Sequence, residues 1–129
     1  LPGRRAGSGR QGTMSFEDLL RPVFAAPGAR AVAFLDPQGE AIASLGDHEL
    51  LETIGAYQSV WTTELARAAM GGGLGEVAEV DLDFDAGRVL ATAVRDGYFV
   101  LAHFGRDGVP SVTRPYLAAA RARLAAETG

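Results

Sequence analysis

The sequence predicts an α+β domain built as a three-layer α/β/α sandwich, in the order helix, two strands, long helix, three strands, helix (αββαβββα). Three observations predict it. A long helical pattern fills the stretch from Asp47 to Gly73. Segments 30–36, 88–95 and 98–104 are apolar on both faces of a strand, so both sides of their sheet must be covered. Short turn signals oblige strands 1 and 2, 3 and 4, and 4 and 5 to pair as antiparallel hairpins. The order 2-1-5-4-3 then leaves the short second strand and the half-polar third strand at the edges of a five-stranded antiparallel sheet. The long helix covers one face, and the first and last helices cover the other.

Ser15 and Asp18 resemble a capping box, and Phe16, Leu19, Leu20, Val23 and Phe24 share one face, so the first helix covers roughly 15 to 26 and stops at Pro27-Gly28. Strand 1 runs from Arg30 to Asp36, Asp36-Pro37-Gln38-Gly39 turns tightly, and Glu40 to Leu45 returns as strand 2. In the long helix Asp47 is the expected N-cap, Glu49 and Glu52 complement the first turn, and Gly71, Gly72 and Gly73 end it. Leu50, Ile54, Tyr57, Trp61, Leu65 and Ala68, with Leu51 beside them, recur at three-and-four spacing and are expected to form its core face. A second stripe of Thr53, Ala56, Val60, Thr63 and Arg67 is small and mildly apolar. Small residues allow close helix approach, so this stripe is the expected dimer or partner interface, although an Ala- and Thr-rich composition alone also accounts for it.

Strand 3, Glu76 to Phe84, alternates Ala78, Val80, Leu82 and Phe84 with Glu79, Asp81 and Asp83, which makes it half buried. Asp85-Ala86-Gly87 turns into strand 4, and Asp96-Gly97 is a strong hairpin signal into strand 5, Tyr98 to Phe104. In the last helix Tyr116, Leu117, Ala120 and Leu124 share a face, Arg121 and Arg123 complement its C-terminal end, and Pro115 is expected only in its first turn.

A chain of 129 residues is one domain, able to bury a core without staples. It has no cysteine, hence no disulfide, no thiolate chemistry and none of the commonest zinc sites. Neither an apolar leader nor a run of about eighteen apolar residues occurs, so the expected location is the cytoplasm, without membrane insertion. Arg supplies every basic side chain, with Lys and Asn absent, a GC-rich coding pattern that points to a bacterial gene. Residues 1–13 lack apolar periodicity and precede Met14, so they read as a disordered tail or cloning remnant before a single domain, 14–129. Without their three arginines the charge goes from −4 to −7. So acidic a domain is a poor partner for nucleic acid, which needs a basic surface to displace counterions.

Catalysis leaves acids, bases, nucleophiles or metal ligands at telling spacings, and few are present. His48 and His103 have no histidine or cysteine partner, and no serine sits in a Gly-x-Ser-x-Gly elbow. Gly73-Leu74-Gly75-Glu76-Val77-Ala78 mimics a dinucleotide loop, but it follows a helix and opens a strand, the reverse of what phosphate binding requires. Asp81-x-Asp83-x-Asp85 begins like a calcium loop, yet Ala86 and Thr92 stand where the glycine and bidentate glutamate belong. The expectation is no catalytic residue, no cofactor, no metal, and an acidic edge strand that discourages aggregation.

The element order, the hairpin from Val32 to Ala43, the long helix running into Gly71-Gly72-Gly73, and the Asp96-Gly97 hairpin resemble the Roadblock family, also called the dynein light chain Roadblock type, over about residues 15–127. The resemblance implies a non-enzymatic homodimer whose long helices pair to form a platform for a Ras-like GTPase or a motor-complex subunit. Bacterial members of the family regulate polarity and gliding-motility GTPases, and can act by ordering the GTPase's own switch loops. The matching positions here are the stripe Thr53, Ala56, Val60, Thr63 and Arg67, with Gln58 and Thr62 as possible GTPase contacts. Family dimers also join sheets through the third strand, where Glu79, Asp81 and Asp83 would repel across a two-fold unless Arg88, or Arg67 of the second copy, offsets them. The competing reading is a small-molecule sensor with a profilin-like sheet, whose cavity Trp61, Phe99 and Tyr116 could line, although these aromatics are expected rather to fill the core.

Overall fold

The computed structural model describes residues 15–47, 49–108 and 110–128, with 58, 59, 61, 62 and 110 described by their backbone alone. The expected tail 1–13, Met14 and His48 lie outside the described residues. The elements are α1 (Phe16–Phe24), β1 (Ala29–Leu35), β2 (Ala41–Gly46), α2 (Glu49–Met70), β3 (Glu79–Phe84), β4 (Gly87–Arg95), β5 (Tyr98–Gly105) and α3 (Pro110–Thr128). All strand pairs are antiparallel, in the order β2-β1-β5-β4-β3. The expected class and strand order both hold.

Strand alternation divides the core in two. On one side Val32, Phe34, Leu90, Val94, Val100, Ala102 and Phe104 meet Leu19, Leu20 and Val23 of α1 and Leu117, Ala120 and Leu124 of α3. On the other side Ala31, Ala33, Leu35, Val89, Ala91, Phe99 and Leu101 pack with Leu51 of α2. α1 begins with a full capping box: Ser15 Oγ accepts from the Asp18 N–H at 3.2 Å, and the Asp18 carboxylate accepts from the Ser15 N–H at 3.3 Å. Phe24, expected in the core, is exposed instead, because it lies at the end of the helix over Gly46 at the sheet rim.

α3 begins earlier than expected, so that Pro115 is its sixth residue. Pro115 and Ser111, the residue whose carbonyl loses its helical partner there, are both exposed. Tyr116 is also exposed, and Thr113 takes its expected place in the buried row with Leu117, Ala120 and Leu124. Arg121 does not complement the helix end. It donates to the Ala93 carbonyl of β4 at 2.7 Å, while Arg95 of β4 donates to the Ala125 carbonyl at 3.3 Å, and the two bonds tie α3 to the sheet.

α2 meets the sheet through main chain as much as through side chains. Gly39, at the tip of the β1–β2 hairpin with φ +87, lies directly against the Gly55 carbonyl, and a Cβ on Gly55 would stand 2.7 Å from Leu35 Cδ1. A side chain at Gly39 would meet the Gly55 main chain itself, and one at Gly55 would require the end of Leu35 and the Gly39 carbonyl to give way.

Candidate functional site

Among the described residues of α2, Leu51 and Gly55 are buried and Ile54, Ala66 and Ala69 half-buried, a face that repeats at about 100° per residue. The expected core face is therefore displaced: Leu50, Tyr57 and Leu65 are 45%, 61% and 50% exposed, and Ala68 is exposed too. The reason is the Gly39–Gly55 contact, which turns the glycine side of α2 onto the sheet and rolls the large apolar row onto one flank. That flank looks toward β3, since Leu50 shares a cleft with Phe84, the last residue of β3. The stripe Thr53, Ala56, Val60, Thr63 and Arg67 is exposed throughout and stands outermost on the helix. Arg67 donates to Glu64 at 2.7 Å, one turn back, an exposed pair of little energetic weight. The side chains of Gln58, Thr62 and Trp61 lie outside the described residues.

β3 pairs with β4 alone, so its outer edge presents unpaired backbone groups beside the apolar flank of α2. Val80 and Leu82 turn toward the α2 side, and Glu79, Asp81 and Asp83 turn toward the α3 side. This acidic row is neutralised within the chain. Arg114 of α3 donates to Glu79 at 2.9 Å and to Asp81 at 3.2 Å, Arg88 lies 3.1 Å from both Asp81 and Asp83, and Arg106 lies 3.4 Å from Asp83. The bonds to Glu79, with Asp81 adding, hold the Arg114 guanidinium above its ordinary pKa. The row is thus a lattice of alternating charge in which each acid has an arginine partner within the chain. Among the described residues, no group of three or more His, Asp or Glu could hold a metal ion, and no helix is long and apolar enough to cross a membrane.

Two apolar clefts flank α2 at opposite ends. At its N-terminal end Leu50, Phe84, Ala86 and Val89 line a space of about 330 Å³, with Arg30 and His103 at the polar side. His103 is half-buried, and burial, with Arg30 adding and Asp47 opposing, pushes its imidazole below the ordinary value. At the C-terminal end Thr63, Met70, Val77, Arg95 and Phe99 line a space of about 420 Å³. Both are open at the rim. Phe99 packs in the α2-side core, as expected, while also walling the cleft at the C-terminal end of α2, and Tyr116 stands exposed on α3.

No family model matches this sequence, and no curated protein does. Solved structures do. MglB from Myxococcus xanthus superimposes with a TM-score of 0.80 at 13% identity, over 92% of this chain and 98% of that one. A Roadblock/LC7 domain from Streptomyces avermitilis gives 0.77 at 17% identity, over 87% and 96%. The chain has the Roadblock fold. MglC from Myxococcus xanthus shares it more distantly in shape, with a TM-score of 0.60 at 23% identity over 88% of this chain and 99% of that one.

Within the Roadblock fold of this chain, the stripe and the apolar flank lie on the α2 side of the sheet, and the acidic row lies on the α3 side of the β3 edge. The arginines that neutralise the row escaped sequence reasoning, apart from Arg88. Arg114 lies 35 residues from Glu79, and only the packing of α3 on β4 delivers it there.

Proposed function

We propose that this protein is a non-enzymatic homodimer that serves as a platform for a Ras-like GTPase. The observation that supports this best is the exposed apolar flank of α2, Leu50, Tyr57 and Leu65, adjoining the open edge of β3. Contiguous apolar surface beside an unpaired strand edge is what a two-fold partner covers, and a self-neutralised row at Glu79, Asp81 and Asp83 does not oppose it. Two copies then share α2 flanks and β3 edges. The stripe Thr53, Ala56, Val60, Thr63 and Arg67, with Gln58 and Thr62, forms the top of the paired helices where the GTPase sits. The likeness to structures titled MglB, one with a tetrameric arrangement and another a gliding protein from Thermus thermophilus, supports an assembling regulator.

Light scattering and calorimetry test the two parts separately. The wild type is expected to be dimeric at tens of micromolar, and Tyr57→Glu to be a folded monomer, because a charge would be buried in the contact. Ala56→Arg is expected to stay dimeric and to lose binding of a Ras-like GTPase loaded with a non-hydrolysable GTP analogue, the candidate being one encoded beside this gene. A monomeric wild type removes the dimer, and Ala56→Arg monomers place the contact on the small stripe instead.

A further inference from the structure

The C-terminal end of α2 closes in a Schellman motif. Gly73 has φ +70, its N–H donates to the Met70 carbonyl at 3.2 Å, and the Leu74 N–H reaches back to the Ala69 carbonyl at 3.4 Å. This motif commonly tucks the residue after the glycine against its own helix. Here Leu74 stands 80% exposed instead, with Met70 76% exposed beside it. These are the two most exposed large apolar side chains on the described surface, and the helix cap fixes the backbone that carries Leu74.

The ends of β3 relate this knob to a cleft. Phe84, the last residue of β3, lines the cleft with Leu50, Ala86 and Val89. Val77, just before β3, lines the opposite cleft with Met70. Leu74 therefore belongs to the starting end of the strand and the 330 Å³ cleft to its finishing end, roughly 20 Å apart at about 3.3 Å per residue. A two-fold that joins edge strand to edge strand pairs them antiparallel, so it sets the starting end of one copy beside the finishing end of the other.

We infer that Leu74 of each copy is a knob that seats in the cleft formed by Leu50, Phe84, Ala86 and Val89 of the second copy, so that the pair is latched reciprocally at both ends. This rests on the dimer proposed above and adds to it a register. The occupant is a second copy because antiparallel edge pairing brings the knob and the cleft together and one chain cannot. The cleft also suits a leucine: its walls are aliphatic and aromatic, and its polar side chains, Arg30 and His103, stand at one side.

The chain contains no cysteine, so introduced thiols report without background. Leu74→Cys combined with Ala86→Cys, treated with a short bis-maleimide, is expected to give a covalent dimer on a denaturing gel, while each single variant stays monomeric on that gel. Leu74→Asp is expected to weaken association at least about tenfold in sedimentation equilibrium, with Leu74→Met close to wild type. Both positions are exposed, so the fold is not at stake. A wild type that is dimeric by light scattering but yields no cross-linked double variant overturns the latch and leaves the dimer standing. Rapid cross-linking of Leu74→Cys alone puts residue 74 at the axis and also overturns it. A wild type that is monomeric at tens of micromolar overturns both.

Discussion

On the α1/α3 side of the sheet, fifteen buried residues form one cluster to which both helices contribute their apolar rows, whereas the cluster on the α2 side holds eight, of which α2 supplies Leu51 alone among the described residues. The helices themselves do not differ in kind, since each is amphipathic. They differ in where the apolar surface goes. α1 and α3 bury their leucines and leave Phe24, Val112 and Tyr116 at the surface, whereas α2 buries Leu51 and leaves Leu50, Tyr57, Val60 and Leu65 outside. An apolar stripe on a helix therefore does not by itself mark the face that packs inside the chain. In this molecule the α1/α3 side of the sheet buries the larger cluster, and the α2 side leaves the large apolar side chains of its helix at the surface.

The sharpest way to break this comparison is to truncate one leucine on each side. Leu20→Ala or Leu124→Ala is expected to cost about 2–5 kcal/mol in denaturant melts. Leu50→Ala is expected to cost about 1 kcal/mol or less in the monomer, because half its surface is already in water. Equal losses would mean that the α2 side is as complete a core as the other. Next in size are two glycines that share a positive φ and differ in surroundings. Gly39→Ala meets the Gly55 carbonyl as well as its own backbone strain and is expected to lose well over about 2 kcal/mol. Gly73→Ala has open space around it and is expected to lose only the strain, about 1–2 kcal/mol. Thermal melts of the pair that coincide would remove the main-chain seat of α2.

Smaller effects sharpen the contrast at the sheet edge and in the cleft. Arg114→Ala breaks an exposed network, so its effect on unfolding is expected to stay within about 1 kcal/mol. It uncovers Glu79 and Asp81, and self-association should become more dependent on salt, as sedimentation in low and high salt would reveal. The smallest effect concerns pH. Burial lowers the pKa of His103 in the folded chain below 6.5, so the folded state binds fewer protons than the unfolded one as pH falls through that value. Its contribution to stability is present above 6.5 and is lost as pH falls through the folded value. Melts of wild type and His103→Gln between about pH 7 and pH 5 should show a shallower acid loss in the variant. Parallel curves would mean that the imidazole is not held neutral.

The strand order was readable because Asp36 to Gly39 and Asp96-Gly97 fix hairpins, and because β1, β4 and β5 are apolar on both faces. The face of α2 was misread for a physical reason. Its sheet side keeps the expected Leu51 and Ile54 but is completed by Gly55, Ala66 and Ala69, and glycine and alanine contribute little hydrophobic signal, while the exposed Leu50, Tyr57 and Leu65 contribute much. Periodicity weighs side chains by apolarity and is blind to a main-chain contact. The acidic row was placed correctly on β3, but its neutral character was not legible, since Arg114 and Arg106 reach it from elements far along the chain.

The contact between Gly39 and Gly55 has a consequence for descent. Because backbone atoms seat α2 on the sheet, nearly every outward side chain of that helix can be exchanged without moving it. A lineage keeping the two glycines is free to rewrite the helix for a new associate, one residue at a time, while the architecture stays in place. Chains that share this shape at 13% and 17% identity are what such freedom would leave behind.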